Sequence, residues 1–218
     1  MSRTRLLIAV TAAIFIVLTA ETAYAQADMN GPGYWQCQSY MGNTTTIYYS
    51  AVFDGTADQP VKAAFDQMLG AKYGFNGGGS CGIAWKTGTT MEKLQTDAKN
   101  AAAQLRAAGK KVIETGWVFS PGAPIRFWCD GIVRVSGQGQ IKNYSYATSI
   151  FDVPGSGVKS LIGKWNDYLK SQHAGGQVNL ANCAAAQADE SKTNAQISGF
   201  SAQYASQAEF MHSDWQGE

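Results

Sequence analysis

The feature that most constrains the fold of this chain is an internal repeat. Landmarks in its first part return in the same order in its second part, at separations from 92 residues (Cys37 to Cys129) to 102 residues (Cys81 to Cys183). Small insertions and deletions between fixed landmarks are typical of a diverged tandem duplication. The landmark pairs are Cys37 and Cys129, Phe53 and Phe151, Phe65 and Trp165, Cys81 and Cys183, and Trp117 and Trp215. The sequence therefore predicts two similar units.

The repeat also sets the expected domain organisation. The first unit spans residues 34–119 and the second spans 126–216, with a turn-rich linker at residues 120–125. Within each unit, strand and helix patterns mix without strict alternation, which is typical of an α+β fold. We therefore predict an α+β protein made of two tandem similar β-β-α-(β)-α-β units, each with one disulfide.

Local patterns in the first unit predict its individual elements. Residues 34–41 and 45–53 are rich in aromatic and β-branched residues and flank a Gly42-Asn43 turn, which indicates a pair of strands. Apolar residues then recur with helical spacing: Val61, Ala64, Phe65, Met68 and Leu69. A capping box at Thr89 and Glu92 begins a second predicted helix that ends near Gly109. A short strand at 81–85 and a closing strand at 111–119 complete the unit.

The second unit follows the same plan. Residues 126–135 and 142–151 are the expected strands. The apolar spacing of a helix returns between Val158 and Leu169, and residues 189–207 form a less regular helical pattern. Residues 210–215 are the expected closing strand. The two closing strands are expected either to join one sheet or to face each other across a pseudo-twofold axis.

The four cysteines are expected to form two disulfides, because an even number in an exported chain is typical of an oxidising compartment. Four cysteines allow three pairings. Each repeat unit carries one early and one middle cysteine, so the simplest arrangement joins Cys37 to Cys81 and Cys129 to Cys183. A crossed pairing would instead lock the two units together.

The N-terminus predicts export. Residues 1–25 have the order of a secretory signal peptide: Arg3 and Arg5, then an apolar run, then the small-residue site Ala23-Tyr24-Ala25. The apolar run from Leu6 to Ala20 is shorter than the roughly 20 residues that a membrane span needs. An uncleaved N-terminal anchor is the alternative. The expected location is the periplasm or the extracellular space, with membrane contact only through export.

Charge argues against nucleic acid as a partner. The full chain has 17 Lys and Arg against 16 Asp and Glu. Removal of residues 1–25 takes away Arg3, Arg5 and Glu21, which leaves 15 positive and 15 negative residues. Nucleic-acid binders usually show a basic excess on the binding domain. The expected partner is therefore a protein or an envelope polymer.

Motifs that carry chemistry are missing from the sequence. The two histidines and four cysteines lack the spacing of a metal site, so no metal and no cofactor are predicted. The glycine run at 77–79 is not followed by the Lys-Ser/Thr of a phosphate loop. No catalytic residue is assigned. Trp85 and Lys86, beside this glycine run and without a counterpart in the second unit, are the predicted binding residues.

The function that we expect from these patterns is that of an exported two-repeat binding or interaction protein without an evident catalytic site. Loops beside Gly42, Gly77 and Gly139 are the predicted contact surfaces. The alternative is a hydrolase of envelope or extracellular polymers with a cleft between the repeats. Glu114 and Asp214 would then be candidate acids, since glycoside hydrolysis uses two carboxyl groups roughly 5–9.5 Å apart.

Overall fold

The computed structural model describes residues 32–39, 45–56, 60–137 and 139–218. They form a mixed α+β structure with two five-stranded sheets, four helices and two disulfides. The predicted signal peptide (residues 1–25) and the predicted Gly42-Asn43 turn lie outside the described residues. None of the described helices has the length and apolar character needed to cross a bilayer.

The first sheet is built around β1 (Pro32–Ser39). Strand β4 (Gly79–Trp85) pairs antiparallel with β1 along one edge, from Gly33–Trp85 to Ser39–Gly79. The other edge of β1 is shared by β3 (Phe53–Thr56) near its beginning and β2 (Thr46–Tyr49) near its end. Strand β5 (Lys111–Glu114) runs parallel to β2.

The second sheet is built around β6 (Pro124–Gly137), which begins within the predicted linker. Strand β9 (Gln177–Ala185) pairs antiparallel with β6 along one edge, with a bulge between Ile132 and Val133. The other edge is shared by β8 (Phe151–Pro154) and β7 (Gln140–Thr148). Strand β10 (Glu209–Ser213) runs parallel to β7. The two closing strands, β5 and β10, therefore lie in different sheets.

One part of the predicted strand pattern is wrong. Each of the segments 45–53 and 142–151 was expected to be a single strand that ends at a phenylalanine, but each contains a break followed by a further strand, β3 or β8. At the first break, the Ser50 hydroxyl accepts a hydrogen bond from the backbone N of Cys37 (2.8 Å) and donates to the Ala51 carbonyl (2.7 Å). A side chain that satisfies the backbone in this way replaces the strand ladder and allows the chain to turn.

Helices α1 (Val61–Tyr73) and α3 (Val158–Gln172) cover the cores of the two sheets. Their apolar faces have the predicted helical spacing, and the buried residues are Val61, Phe65 and Leu69 in α1 and Leu161, Trp165 and Leu169 in α3. Full burial of one such side chain contributes about 1.5–3 kcal/mol relative to exposure. Helix α1 ends at Gly74, whose φ of 63° is a backbone conformation that favours glycine.

Helices α2 (Met91–Ala107) and α4 (Glu190–Tyr204) are more exposed, with a single buried residue each, Ala102 and Thr193. The predicted capping residue of α2 is wrong by one position. Thr90, not Thr89, is the N-cap, and its hydroxyl accepts a hydrogen bond from the Lys93 backbone N at 3.2 Å. The capping-box pattern favours Thr89, because Glu92 follows it by three residues whereas Lys93 follows Thr90, and the backbone geometry identifies Thr90 as the N-cap.

The disulfides join Cys37 to Cys81 and Cys129 to Cys183, as the repeat predicted. In each pair the cysteines lie directly opposite on neighbouring strands, β1 and β4 or β6 and β9. They close spans of 44 and 54 residues. In the loop-entropy description, each closure stabilises the fold by about 4 kcal/mol.

Candidate functional site

A cleft of about 700 Å³ lies at the seam between the two halves of the described chain. This volume is within the range of small-ligand pockets, roughly 300–1,000 Å³. We call it the seam cleft, and it is lined by Trp35, Pro60, Lys62, Ala63, Asp66, Phe75, Asn76, Gly77, Gly78, Cys81, Phe127, Val158, Ala185, Ala186, Gln187, Ala188, Asp189 and Lys192.

Direct contacts between the halves position the cleft. The side chain of Gln67 in α1 donates to the carbonyls of Arg126 (2.8 Å) and Ala186 (2.9 Å), and its Oε1 accepts from the Arg126 backbone N (3.0 Å). Ala63 and Ala64 of α1 pack against the core of the second sheet. Small residues allow this close approach, because a Cβ atom at Gly70 would lie 1.9 Å from the Cβ atom of Ala188.

Two aromatic side chains from matching positions line the cleft. Trp35 and Phe127 each lie two residues before a disulfide cysteine on the central strand of their sheet. The indole N–H of Trp35 donates to the Thr56 carbonyl at 3.2 Å, which fixes the orientation of the ring. The apolar part of the cleft therefore has a defined shape before any ligand binds.

The glycine-rich segment forms part of the lining. A Cβ atom at Gly77 would lie 2.5 Å from the ring of Phe75, so a side chain there would displace that ring from the cleft. The sequence predicted a contact surface beside Gly77, and the structure places this residue in the lining of the seam cleft. Its role here is to permit close packing.

The acidic side chains of the cleft are already engaged. Asp66 Oδ2 forms an ion pair with Lys62 at 2.5 Å, and Oδ1 accepts from the Gly79 backbone N at 2.7 Å. Asp189 is the N-cap of α4 and accepts from the hydroxyl (2.6 Å) and backbone N (3.1 Å) of Ser191. These hydrogen bonds, the hydroxyl first, lower the pKa of the Asp189 carboxyl. A general acid of a glycosidase needs the opposite, a raised pKa.

The carboxylates predicted for a hydrolase lie elsewhere. Glu114 is on β5, where it pairs with Arg106 at 2.7 Å, and Asp214 is exposed beyond the end of β10. Neither lines the seam cleft. His212 Nε2 lies 3.2 Å from the Ser149 hydroxyl, but both residues are exposed. The acids that the sequence offers for a hydrolase therefore do not lie in the lining of the seam cleft.

The predicted binding residues Trp85 and Lys86 also lie outside the lining of the seam cleft. Trp85 ends β4, opposite Gly33. The ammonium of Lys86 pairs with Asp54 at 2.5 Å and lies 5.0 Å from the ring centroid of Tyr34. The hydrogen bond with Asp54 raises the pKa of Lys86. Lys86 is therefore charged and held at the surface by its neighbours.

In the part of the chain that the structure describes, no group of three or more His, Cys, Asp or Glu side chains is placed to hold a metal ion. Of the two histidines, His173 accepts or donates a hydrogen bond with the Tyr146 hydroxyl at 2.7 Å and stacks on Tyr144 with ring centroids 4.0 Å apart.

The seam cleft has residues that the sequence patterns did not identify as a site. Neither Trp35 nor the charged residues of the lining belong to a sequence motif; the charged residues are Lys62, Asp66, Asp189 and Lys192. The sequence feature that pointed to this region was the glycine run at 77–79, next to Phe75.

No protein-family model matches this chain, and neither a curated protein nor a solved structure is similar enough to match it.

Proposed function

We propose that this protein is an exported binding protein, built from two tandem similar units, that binds an extended peptide segment of a partner protein in the seam cleft. The observation that carries the proposal is the cleft itself, which joins a preformed aromatic wall to charges of both signs. Its carboxylates are engaged in structural contacts, which favours binding over hydrolysis.

Matching contacts support the two similar units. The backbone N of Cys37 donates to the Ser50 hydroxyl at 2.8 Å, and that of Cys129 donates to the Thr148 hydroxyl at 2.9 Å. The edge-to-face pairs Phe53 with Trp117 and Phe151 with Trp215 both have centroid distances of 5.6 Å. Strand order and pairing also correspond, which favours tandem β-β-β-α-β-α-β units.

Two disulfides support export. Disulfides persist in oxidising compartments such as the periplasm and the extracellular space, and they are rare in the cytosol. All four cysteines of the chain are paired in the structure. This agrees with the predicted signal peptide at residues 1–25, whose cleavage stays a prediction.

The chemistry of the cleft favours a peptide as the ligand. Trp35, Phe75 and Phe127 offer apolar contact for side chains. Lys62 and Lys192 lie with Asp66 and Asp189 in the same cleft, so both charge signs are present. Peptides present apolar side chains, backbone amides and charges of both signs together, which a uniformly charged or apolar ligand does not.

The test is selection of a random peptide display library on the purified, disulfide-bonded protein, followed by measurement of Kd for an enriched peptide. Gln187→Trp introduces a large ring at an exposed position of the cleft lining and should weaken binding by about tenfold or more. Trp85→Ala, outside the lining, is the matched control and should leave Kd unchanged.

Two outcomes would contradict the proposal. Failure to enrich any peptide would show that the ligand of the seam cleft is not a peptide. Loss of binding in Trp85→Ala with retained binding in Gln187→Trp would instead assign the ligand to the predicted Trp85 and Lys86 surface. The hydrolase alternative has its own test, which is degradation of an envelope polymer by the protein. Degradation that is lost in Asp66→Asn would support a hydrolase instead of a binding protein.

A further inference from the structure

A second, smaller pocket of about 260 Å³ lies on the other face of the first sheet, under α2. Small side chains surround it, including Ala51, Ala98 and Ala102, and Gln36 of β1 lies among them. Because side chains alternate along a strand, Gln36 is on the face opposite to Cys37 and α1. We call this cavity the Gln36 pocket.

The second half of the chain has a tryptophan at the position that matches Gln36. Gln36 precedes Cys37 and pairs with Gly82, and Trp128 precedes Cys129 and pairs with Ala184. Trp128 is only 6% exposed, so a whole indole ring is buried on the matching face of the second sheet. Its N–H has no hydrogen-bond partner among the described residues.

The charges at the Gln36 pocket do not cancel. Glu114 lines it, but the carboxylate is paired with Arg106 at 2.7 Å. Lys99 also lines it and forms no ion pair with any other residue that the structure describes. A ligand in this pocket therefore meets an uncompensated positive charge, which attracts an anion.

We propose that the Gln36 pocket binds a small planar aromatic molecule with an anionic group, such as an aromatic carboxylate. The ring takes the space that an indole takes in the second half, and the carboxylate faces the Lys99 ammonium. This site is separate from the seam cleft, and the proposal does not depend on peptide binding there.

The experiment is calorimetric titration of the disulfide-bonded protein with indole-3-acetate and with uncharged indole. Both probes should bind, indole-3-acetate more tightly. Lys99→Gln should weaken the binding of indole-3-acetate by about two- to fivefold, as expected for an exposed ion pair, and leave the affinity for indole unchanged. Lys192→Gln, which removes a cation from the seam cleft instead, is the matched control and should change neither affinity.

The decisive test is a variant whose side chain fills the pocket. Gln36→Trp introduces the residue found at the matching position of the second half and should weaken the binding of both probes by about tenfold or more. Ala98→Phe fills the pocket from the helix side and replaces that variant if it does not fold, as judged by near-UV circular dichroism. Absence of binding to the unaltered protein, or unchanged binding in the filled variant, would overturn the proposal. A loss of affinity in Lys192→Gln equal to that in Lys99→Gln would also overturn the proposal, because it would place the probes in the seam cleft.

Discussion

Gln67 and Arg126 form a reciprocal pair of hydrogen bonds across the seam: the Gln67 amide donates to the Arg126 carbonyl at 2.8 Å, and the Arg126 backbone N donates to Gln67 Oε1 at 3.0 Å. The last residue pair of β6 and β9 is Phe127 with Ala185, and one more backbone bond follows it, from the Ala186 N to the Arg126 carbonyl at 2.8 Å. In the first sheet, the corresponding ladder continues to Gly33 and Trp85. A side chain from α1 thus continues the hydrogen bonding of a sheet in the other half.

Gln67→Ala should lower the free energy of unfolding by about 1–3 kcal/mol, because it leaves the backbone N of Arg126 and the carbonyl of Ala186 without this partner in a partly buried place. Urea denaturation measures the change. Gln104→Ala, at an exposed position of α2, is the control and should stay within about 0.5 kcal/mol of the unaltered protein. Equal effects of the two substitutions would mean that the seam does not depend on Gln67.

The contrast between Gln67 and its helix shows what sequence could predict. The spacing of Val61, Phe65 and Leu69 predicted the buried face of α1, because local periodicity determines which side of a helix is apolar. The disulfides were also predicted, because the repeat favoured one of the three possible pairings. Gln67 carries no such signal, since a glutamine on a helix is usually solvated and its partners lie 59 and 119 residues away.

The residues that line the seam cleft could not be predicted for the same reason. The cleft arises from how α1 docks on the second sheet, and docking depends on contacts such as that between Gly70 and Ala188, which have no local pattern. The tryptophans beside the two cysteines do not correspond to each other, because the strand registers match Trp35 with Phe127 and Gln36 with Trp128. A one-residue shift exchanges the faces of a strand.

Phe65→Ala and Trp165→Ala should each lower the free energy of unfolding by about 3–5 kcal/mol, because both side chains are fully buried and leave a cavity. Each packs on the closing tryptophan of its half, with centroid distances of 5.3 Å to Trp117 and 5.1 Å to Trp215. Ile162→Ala, on the exposed side of α3, should have an effect below about 1 kcal/mol. Denaturant titration of the three variants compares them, and a small effect at either buried position would contradict the described cores.

Replacement of both cysteines of one disulfide by serine should lower the free energy of unfolding by about 2–5 kcal/mol, whether the pair is Cys37 with Cys81 or Cys129 with Cys183. The two spans are similar in length, so the two losses should be similar. Peptide mapping without reduction provides the control on pairing. Recovery of a peptide that links Cys37 to Cys129 would contradict the structure.

Asp130→Asn should stabilise the protein more at pH 7 than at pH 4. Burial raises the pKa of the Asp130 carboxyl, although the hydrogen bond from Asn182 opposes this. A raised pKa means that the folded state is penalised while the carboxylate is ionised, and that this penalty disappears as the pH falls through the folded pKa towards the unfolded value of about 3.9.

The measurement for Asp130 is the difference in unfolding free energy between the variant and the unaltered protein at both pH values. It should shrink from pH 7 to pH 4, since protonation relieves the same penalty that the substitution removes. Asp167→Asn, at a side chain that is 78% exposed, should show no such trend. A difference for Asp130→Asn that is constant with pH, or that grows towards pH 4, would be inconsistent with a raised pKa.

The central claim, that a peptide binds in the seam cleft, is tested most directly by backbone NMR shift mapping with a peptide selected on the protein. We predict that the largest shift changes fall on the amides of Gly77, Gly78, Ala185 and Gln187, which come from both halves and line the cleft. Changes confined to Trp85 and Lys86, to the Gln36 pocket, or to one half of the chain would contradict the claim.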